Sequence, residues 1–567
     1  MSPIKTVGQA IVEALVAEGV DTTFGIPGTH NIGLYDPFND FPNVRHISAR
    51  HENNAAYMAE MYGRLTGRPA VCLVTAGPGA IHSMAGVAQA FNMGSPMIHI
   101  GGAVSWSEPK ESLHAVDNPG FVNEMFKDIT KWSVRIENPE ETPQIMAKAF
   151  SIMRSGRPGP VHISVPWVLT NARMGAKPSE IPPYQKIPPM EKPTLDATIL
   201  DKMADLIKSA RQPMIYAGRG VLIYRADKEL GELAEGINAP VISPMDFPLP
   251  YDHPFWVGGL GFGGEADNFV KSLQEKSDLV IGIGLRAGTR GAIAFNNAPA
   301  QKRIFIGYDD NPTAVEKADA AIVADTKQAL QEILGRLSGA PRSRGEELRG
   351  QIARYKKAVR EGYAEFYGQY RDAGPVHFGY AMTQLAQVVD KDAMIVGGGT
   401  IARALATHAI PPYTVETHQG SGPWGTMGFP TPGVVGAKLV YPDRVVIGVE
   451  GDGGFLMGFN DFGTAVESGA HVMMVIANDA QYTQITRMQE MQFGRAVSNE
   501  IQRFNFARFA ETFGAVGIRV ENSAELKGAF KEAIETTKRS SVIVDVVSDH
   551  RLAMTTPSVN DLIKKLN

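Results

Sequence analysis

Short runs that are apolar at every position recur along the chain, separated by segments with apolar residues every three or four positions. Val7, Ile11 and Leu15 fall on one helical face, and residues 22–26 then form a strand-like run closed by Pro27-Gly28. Residues 70–75 form a second run, ending in Ala76-Gly77-Pro78-Gly79. Residues 213–218 and 278–284 repeat the pattern in the middle of the chain, and 444–449 and 472–477 repeat it near the end. A strand exposed on one face alternates apolar and polar residues; a strand covered on both faces is apolar throughout. The pattern predicts an α/β fold of three doubly wound parallel-sheet domains. Ligands of such sheets bind beyond the carboxyl ends of the strands, where these Gly-rich turns fall.

Two stretches separate the three blocks. Residues 176–193 carry Pro178, Pro182, Pro183, Pro188, Pro189 and Pro193, a density that forbids helix and disrupts sheet. Residues 339–345 are polar and turn-rich. The expected domains are 1–175, 190–340 and 355–550, with a C-terminal tail at 551–567. A chain of 567 residues is also too long for one core, since cores stop growing near ~250–300 residues. The formal charge of −5, from 55 basic and 60 acidic residues, argues against nucleic-acid binding and against a polybasic membrane anchor. There is no run of ~18 apolar residues and no apolar core of a secretion signal, so the expected setting is soluble and cytoplasmic. The one cysteine, Cys72, lies in an apolar run and reads as a small buried hydrophobe.

The chemistry concentrates in the last block. The run ending at Val449 leads into Glu450-Gly451-Asp452-Gly453-Gly454, followed by a helix-period stretch near 460–468. Glycines let backbone N–H groups approach an anion, and a helix N-terminus favours phosphate. An aspartate repels phosphate but serves as a hard oxygen ligand for Mg²⁺ or Ca²⁺. A second strand ends at Ala477, before Asn478-Asp479-Ala480-Gln481-Tyr482. Asp479 follows Asp452 by 479 − 452 = 27 residues, the length of one strand–helix–strand crossover. Both therefore belong at one sheet edge, where Asp452, Asp479 and the Gln481 carbonyl can hold a cation.

This segment resembles the thiamine diphosphate motif, Gly-Asp-Gly followed by paired Asn. It departs from it in Asp479, which adds negative charge where the second Asn stands, and in Tyr482-Thr483 in place of Tyr-Gly. Arg50-His51-Glu52 resembles the corresponding segment of acetolactate synthase-like enzymes, which makes Glu52 the activating glutamate. By position alone, Glu52 is also an ordinary first-turn carboxylate. In 422–429 the resemblance places Met427 beneath the cofactor and the Gly425 carbonyl at its pyrimidine amino group. Gly399, Thr400 and Ile401 match a diphosphate-contacting loop, with Gly453, Gly454 and Tyr482, and Thr75 and Gly77 match the pyrimidine-side loop. The resemblance spans essentially the whole chain. It implies thiamine diphosphate with Mg²⁺ or Ca²⁺. It further implies an active site between subunits, with a dimer at least and a homotetramer as the expected assembly.

The substrate is set elsewhere. His30 falls where benzaldehyde lyase-like enzymes carry an active-site histidine, and His114 falls where acetolactate synthases carry Gln. His82 and Gln484 are weaker candidates. The resemblance implies a 2-oxo acid decarboxylase or carboligase, in which the acyl unit is protonated or joined to a carbonyl acceptor. Lysis of a 2-hydroxyacyl-CoA is the alternative, supported thinly by Trp424, Arg551 and Lys564-Lys565. A non-catalytic subunit partner is a third reading, opposed by Glu52 and Asp452 in one chain. Gly218-Arg219-Gly220 reads either as a nucleotide loop or as purely structural; it is no FAD or ADP signature.

Overall fold

The computed structural model describes residues 4–170, 178–244, 246–259, 266–286, 289–308, 317–337, 345–399 and 401–564. Among them are three six-stranded sheets, each wholly parallel. The first has the spatial order Arg45–Ser48, Thr22–Gly25, Ala70–Val74, Met97–Ala103, Val161–Pro166, Trp132–Arg135. The second runs Trp256–Gly259, Val241–Ser243, Pro213–Ala217, Leu279–Leu285, Lys302–Gly307, Ala320–Val323. The third runs His418–Gly420, Met394–Gly397, Val446–Gly451, Met473–Asn478, Val542–Val547, Val516–Val520. The central strands are buried at every position, as their unbroken apolar runs require.

Local signals start and stop the helices. Thr6 and Gln9 form a capping box before Val7–Ala17. His51 caps Glu52–Thr66 by accepting from the Asn53 N–H, and Gly67, at φ 66°, ends it. Cys72 lies fully buried in the first sheet, where burial raises its thiol pKa.

The Pro-rich stretch belongs to the first unit. Ser179–Glu180 pairs antiparallel with Ile4–Lys5, and the Tyr184 hydroxyl donates to Glu18 at 2.5 Å. Residues 338–344, which cover most of the second expected linker, lie outside the described residues. The helix Gly345–Gly368 that follows joins two cores. Its Ile352 and Tyr355 enter the central core, and Tyr363 and Tyr367 enter the last one. The C-terminal segment folds back, so that Val559 and Ile563 pack on the central core.

The first and third units share one core, built where helix Glu52–Thr66 crosses helix Pro430–Val440. Small residues allow the close approach: a Cβ at Gly436 would stand 2.6 Å from the Met58 carbonyl. The same face carries polar locks. Asp461 accepts from the Arg50 N–H at 2.9 Å and from Asn54 Nδ2 at 2.7 Å. Buried Glu60 pairs with Arg64 at 2.7 Å, and Arg64 reaches the Gly420 carbonyl at 2.8 Å.

Candidate active site

The third sheet brings the two acidic segments together. Strands Val446–Gly451 and Met473–Asn478 are neighbours, with Gly451 opposite Ala477. Asp452 opens a short helix, and its carboxylate accepts from the Gly453 N–H at 2.7 Å and the Ala480 N–H at 2.6 Å. Asp479 accepts from the Thr483 hydroxyl at 2.5 Å. Both carboxyls are buried. Burial raises Asp452 to about 6, against the pull of those N–H donors. Burial and the adjacent Asp452 raise Asp479 to about 7. Two buried like charges call for a cation, and the donor set is all oxygen, as Mg²⁺ or Ca²⁺ prefers. Asn478 stands beside this pair: its Nδ2 donates to Asp545 at 2.7 Å and to the Phe504 carbonyl at 2.8 Å.

Around the carboxylates, close packing leaves room only for glycine. A Cβ at Gly453 would lie 2.4 Å from the Tyr482 ring, and one at Gly454 would lie 2.6 Å from Glu450. A Cβ at Gly399 would stand 3.3 Å from the Gly425 carbonyl, which brings those two loops together. Gly425 and Gly428 adopt φ 69° and 76° on either side of half-buried Met427. Ile401 begins the helix Ile401–Ala409, while Thr400 lies outside the described residues. The Gln481 side chain is occupied with Thr486, 2.8 Å away, so a cation donor at this residue would be its backbone carbonyl. This cradle fits a diphosphate bridged by a divalent cation.

Glu450 escaped the sequence reading. It precedes the Gly-Asp-Gly run, is fully buried, and accepts from the Gly428 N–H at 3.0 Å. Burial raises it to about 8, so it holds a proton at neutral pH. An acid within an otherwise apolar strand was the available signal.

The first sheet carries the other half. Glu52 is the first residue of its helix, and its Oε2 is 3.2 Å from His82 Nδ1. The buried Thr75 hydroxyl is unpartnered and lies against Gly28 and Gly79. Gly77, at φ 56°, lets the chain pass His114, whose carbonyl would be 2.8 Å from a Cβ there. His30 is buried, and its ring lies 4.9 Å from that of His114 and 5.3 Å from that of Trp167. Nδ1 of each histidine lacks a hydrogen-bond partner, and His114 itself holds φ 65°. Burial first, then His114, lowers the pKa of His30. Trp167 and its acceptor Glu108, at 2.5 Å, complete this pocket. They were not foreseen, because only the fold brings residues 30, 108, 114 and 167 together.

Among the described residues, no hydrogen bond joins Glu52, His30 or His114 to the acidic half. Arg50 and Asn54, which flank Glu52, dock on Asp461, whereas Glu52 itself turns to His82. A separate cavity of about 400 Å³ lies between the central and last units, lined in part by Arg219, Asp246, Arg286, Tyr308 and Arg403. Arg219 pairs with Asp246, and burial draws Arg403 down to about 10. No described helix is long and apolar enough to cross a membrane.

The N-terminal TPP binding domain of thiamine pyrophosphate enzymes matches residues 5–123, their central domain 200–333, and their C-terminal TPP binding domain 397–546. The chain is 31% identical over 556 residues to a probable acetolactate synthase large subunit of Methanocaldococcus jannaschii, covering 95% of this chain and 91% of that protein. It is 29% identical to an acetolactate synthase of Mycobacterium bovis, covering 98% and 88% of the two chains. It is 27% identical to the acetolactate synthase isozyme 3 large subunit of Escherichia coli, covering 95% and 94%. These relatives favour carboligation over the 2-hydroxyacyl-CoA and non-catalytic readings. Three matched domains over one continuous alignment leave a single conclusion: the chain belongs to the acetolactate synthase-like family of thiamine diphosphate-dependent enzymes.

Proposed function

We propose that this enzyme decarboxylates a short 2-oxo acid of the pyruvate class and joins the acyl unit to a second carbonyl compound. The observation that carries this is the pairing, in one chain, of Glu52 on the pyrimidine half with a buried oxygen-ligand pair on the diphosphate half. When bound, thiamine diphosphate supplies a nucleophilic carbon and an electron sink for the departing carboxylate. Asp452, Asp479 and the Gln481 carbonyl would hold Mg²⁺ for the diphosphate, which Gly453 and Gly454 would let approach. Gly399, Thr400, Ile401 and Tyr482 border that group. The Gly425 carbonyl and the Met427 side chain would hold the cofactor, and Thr75 and Gly77 would border its pyrimidine. Glu52 would be the residue that gives and takes the proton of the pyrimidine ring. His30 and His114 face the substrate, where an imidazole N–H suits a carbonyl or carboxylate oxygen.

Glu52 bonds to His82 and not to the acidic half of its own chain, which supports an active site shared between two copies of the chain, in a homodimer at least and as a homotetramer when fully assembled. A cytoplasmic location suits this chemistry. The cavity lined by arginines suits a phosphate-bearing nucleotide of the FAD or ADP class, which flavin absorbance or ADP titration would register.

The test is a panel of pyruvate, benzoylformate, longer 2-oxo acids and 2-hydroxyacyl-CoAs, with carbon dioxide, aldehyde and ligation product followed. Pyruvate-class acids should release carbon dioxide and form a ligated product. Glu52→Gln should lose at least ~100-fold in turnover while its Mg²⁺ binding stays intact. Turnover of the 2-hydroxyacyl-CoAs alone, or full activity in Glu52→Gln, would sink the reading.

A further inference from the structure

One cluster beside Glu52 has no part in the chemistry above. His82 closes the short helix Pro78–His82, with its Nδ1 3.2 Å from Glu52 Oε2. Its ring stacks on His51, with centroids 5.0 Å apart and 24° between planes. His51 is itself fixed, because its Nδ1 accepts from the Asn53 N–H at 3.2 Å. Asn53 in turn accepts from the Gly86 N–H at 2.8 Å, tying the start of the Glu52 helix to the helix that follows His82. The contact between His82 and Glu52 is therefore braced from both sides.

Behind His82 the corner is anchored by a buried chain of four side chains whose direction is fully determined. The Ser83 hydroxyl donates to the Ala80 carbonyl at 2.7 Å, so it accepts from His99 Nε2, also at 2.7 Å. A neutral imidazole carries one N–H, so His99 Nδ1 is an acceptor. It receives the proton of His162 Nδ1 at 2.8 Å, and His162 Nε2 accepts from the Ser164 hydroxyl at 2.8 Å. Burial lowers His99 to about 3 and His162 well below its ordinary value, so both rings stay neutral. All four side chains are buried. The chain ends on the Ala80 carbonyl, two residues before His82. A network with one direction and no charge rigidifies the backbone it ends on.

We propose that His82 is a positioning residue that holds the Glu52 carboxylate and, through its own charge, sets how tightly Glu52 keeps its proton. This rests on the reading of Glu52 as the cofactor-activating acid. The titratable groups facing the pair are His51, stacked on His82, and Cys72, behind Glu52 on strand Ala70–Val74. Burial raises the Cys72 thiol, so the two imidazoles are the groups beside Glu52 able to carry a positive charge.

The first test uses the cofactor-free protein labelled with ¹³C in its histidine rings. The His82 signal is identified by its loss in His82→Asn, a change at a side chain 53% exposed and therefore harmless to folding. Glu52→Gln should lower the His82 pKa by about 1 unit, the effect of an opposite charge at this distance in a water-like medium. An unmoved His82 titration overturns the proposal. The second test follows hydrogen–deuterium exchange at the reactive carbon of thiamine diphosphate in the holoenzyme. The acid limb of its pH profile reports protonation of Glu52. Without a cation beside it Glu52 holds its proton more tightly, so His82→Asn should move that limb up by about 1 unit. A wild-type profile in His82→Asn also overturns the proposal. Exchange abolished in Glu52→Gln with His82 unmoved sinks the proposal alone. Exchange that survives Glu52→Gln sinks the role of Glu52 on which it rests.

Discussion

Replacing Asp479 by Asn separates what the carboxylate pair costs the cation-free protein from what it gives the loaded one. In the folded protein the Asp479 carboxyl titrates near 7 against an ordinary 3.8, through burial and then the Asp452 charge. The folded state thus keeps a proton that the unfolded chain releases. Stability from this group is present below about pH 4 and is lost as the pH rises through about 7. At pH 8 the ionised carboxylate destabilises the cation-free fold by about 4 kcal/mol, the equivalent of some three pH units. Asparagine keeps the shape and an oxygen to accept from Thr483, and it carries no charge. Asp479→Asn should therefore raise the melting temperature in EDTA at pH 8 by roughly 3 °C for a chain of this length, with the gain shrinking as the pH falls and gone below about pH 4. With Mg²⁺ the order reverses, because one ligand charge is missing: affinity should fall roughly 10–100-fold. Calorimetric melting in EDTA and in saturating Mg²⁺, with titration of Mg²⁺ into each protein, reads both effects. A variant no more stable than the wild type in EDTA at pH 8, or one with unchanged Mg²⁺ affinity, would refute the claim that these carboxylates form a cation site.

Three further outcomes follow from the same geometry. Gly453→Ala places a Cβ 2.4 Å from the Tyr482 ring, so Tyr482 must move; thiamine diphosphate affinity should fall at least ~10-fold by calorimetry while the circular dichroism spectrum is unchanged. His30→Ala and His114→Ala should each lower kcat/KM by roughly 100-fold and leave cofactor affinity intact; weakened cofactor binding would place them in the fold rather than at the substrate. Glu450 titrates near 8 and so is already neutral at pH 7. Glu450→Gln should match wild-type stability below about pH 4.5 and exceed it increasingly up to about pH 8, because over that range the unfolded chain releases a proton that the fold keeps, and the difference levels off above pH 8; a variant destabilised at pH 7 would show that the charged form is the native one.

Much of this was legible in the sequence because parallel sheets advertise themselves. A strand covered on both faces has no polar positions, so residues 70–74 and 473–477 stand out, and the turn after each marks a binding edge. The spacing of 27 between Asp452 and Asp479 survives folding because one crossover fixes it. What was not legible depends on long-range placement. Glu108, His114 and Trp167 meet His30 only through the packing of the first sheet. The helix Gly345–Gly368 serves two cores at once, so its pattern alone assigns it to neither domain. The Pro-rich stretch looked like a free linker because proline density says nothing about what the chain lies against, here Glu18 and Ile4–Lys5.

The two halves of the site differ in how the protein holds them. Asp452 and Asp479 are held against the cost of burial, which their raised pKa values express, and a bound cation would relieve it. The Glu52 half is complete in itself: a helix cap, a stacked ring and a chain of neutral side chains fix it before any ligand arrives. That difference is what the proposed chemistry needs. A cation can recruit the diphosphate as its counter-ion, so the acidic half gains by being incomplete. The carboxyl that exchanges a proton with the ring must already stand in place, since misplacement by an ångström lengthens the transfer path and slows activation. Docking Arg50 and Asn54 on Asp461 ties the rigid half to the loop just beyond the acidic one. The same chain thereby fixes the orientation of Glu52 and of Asp452, while Glu52 itself faces away from that joint.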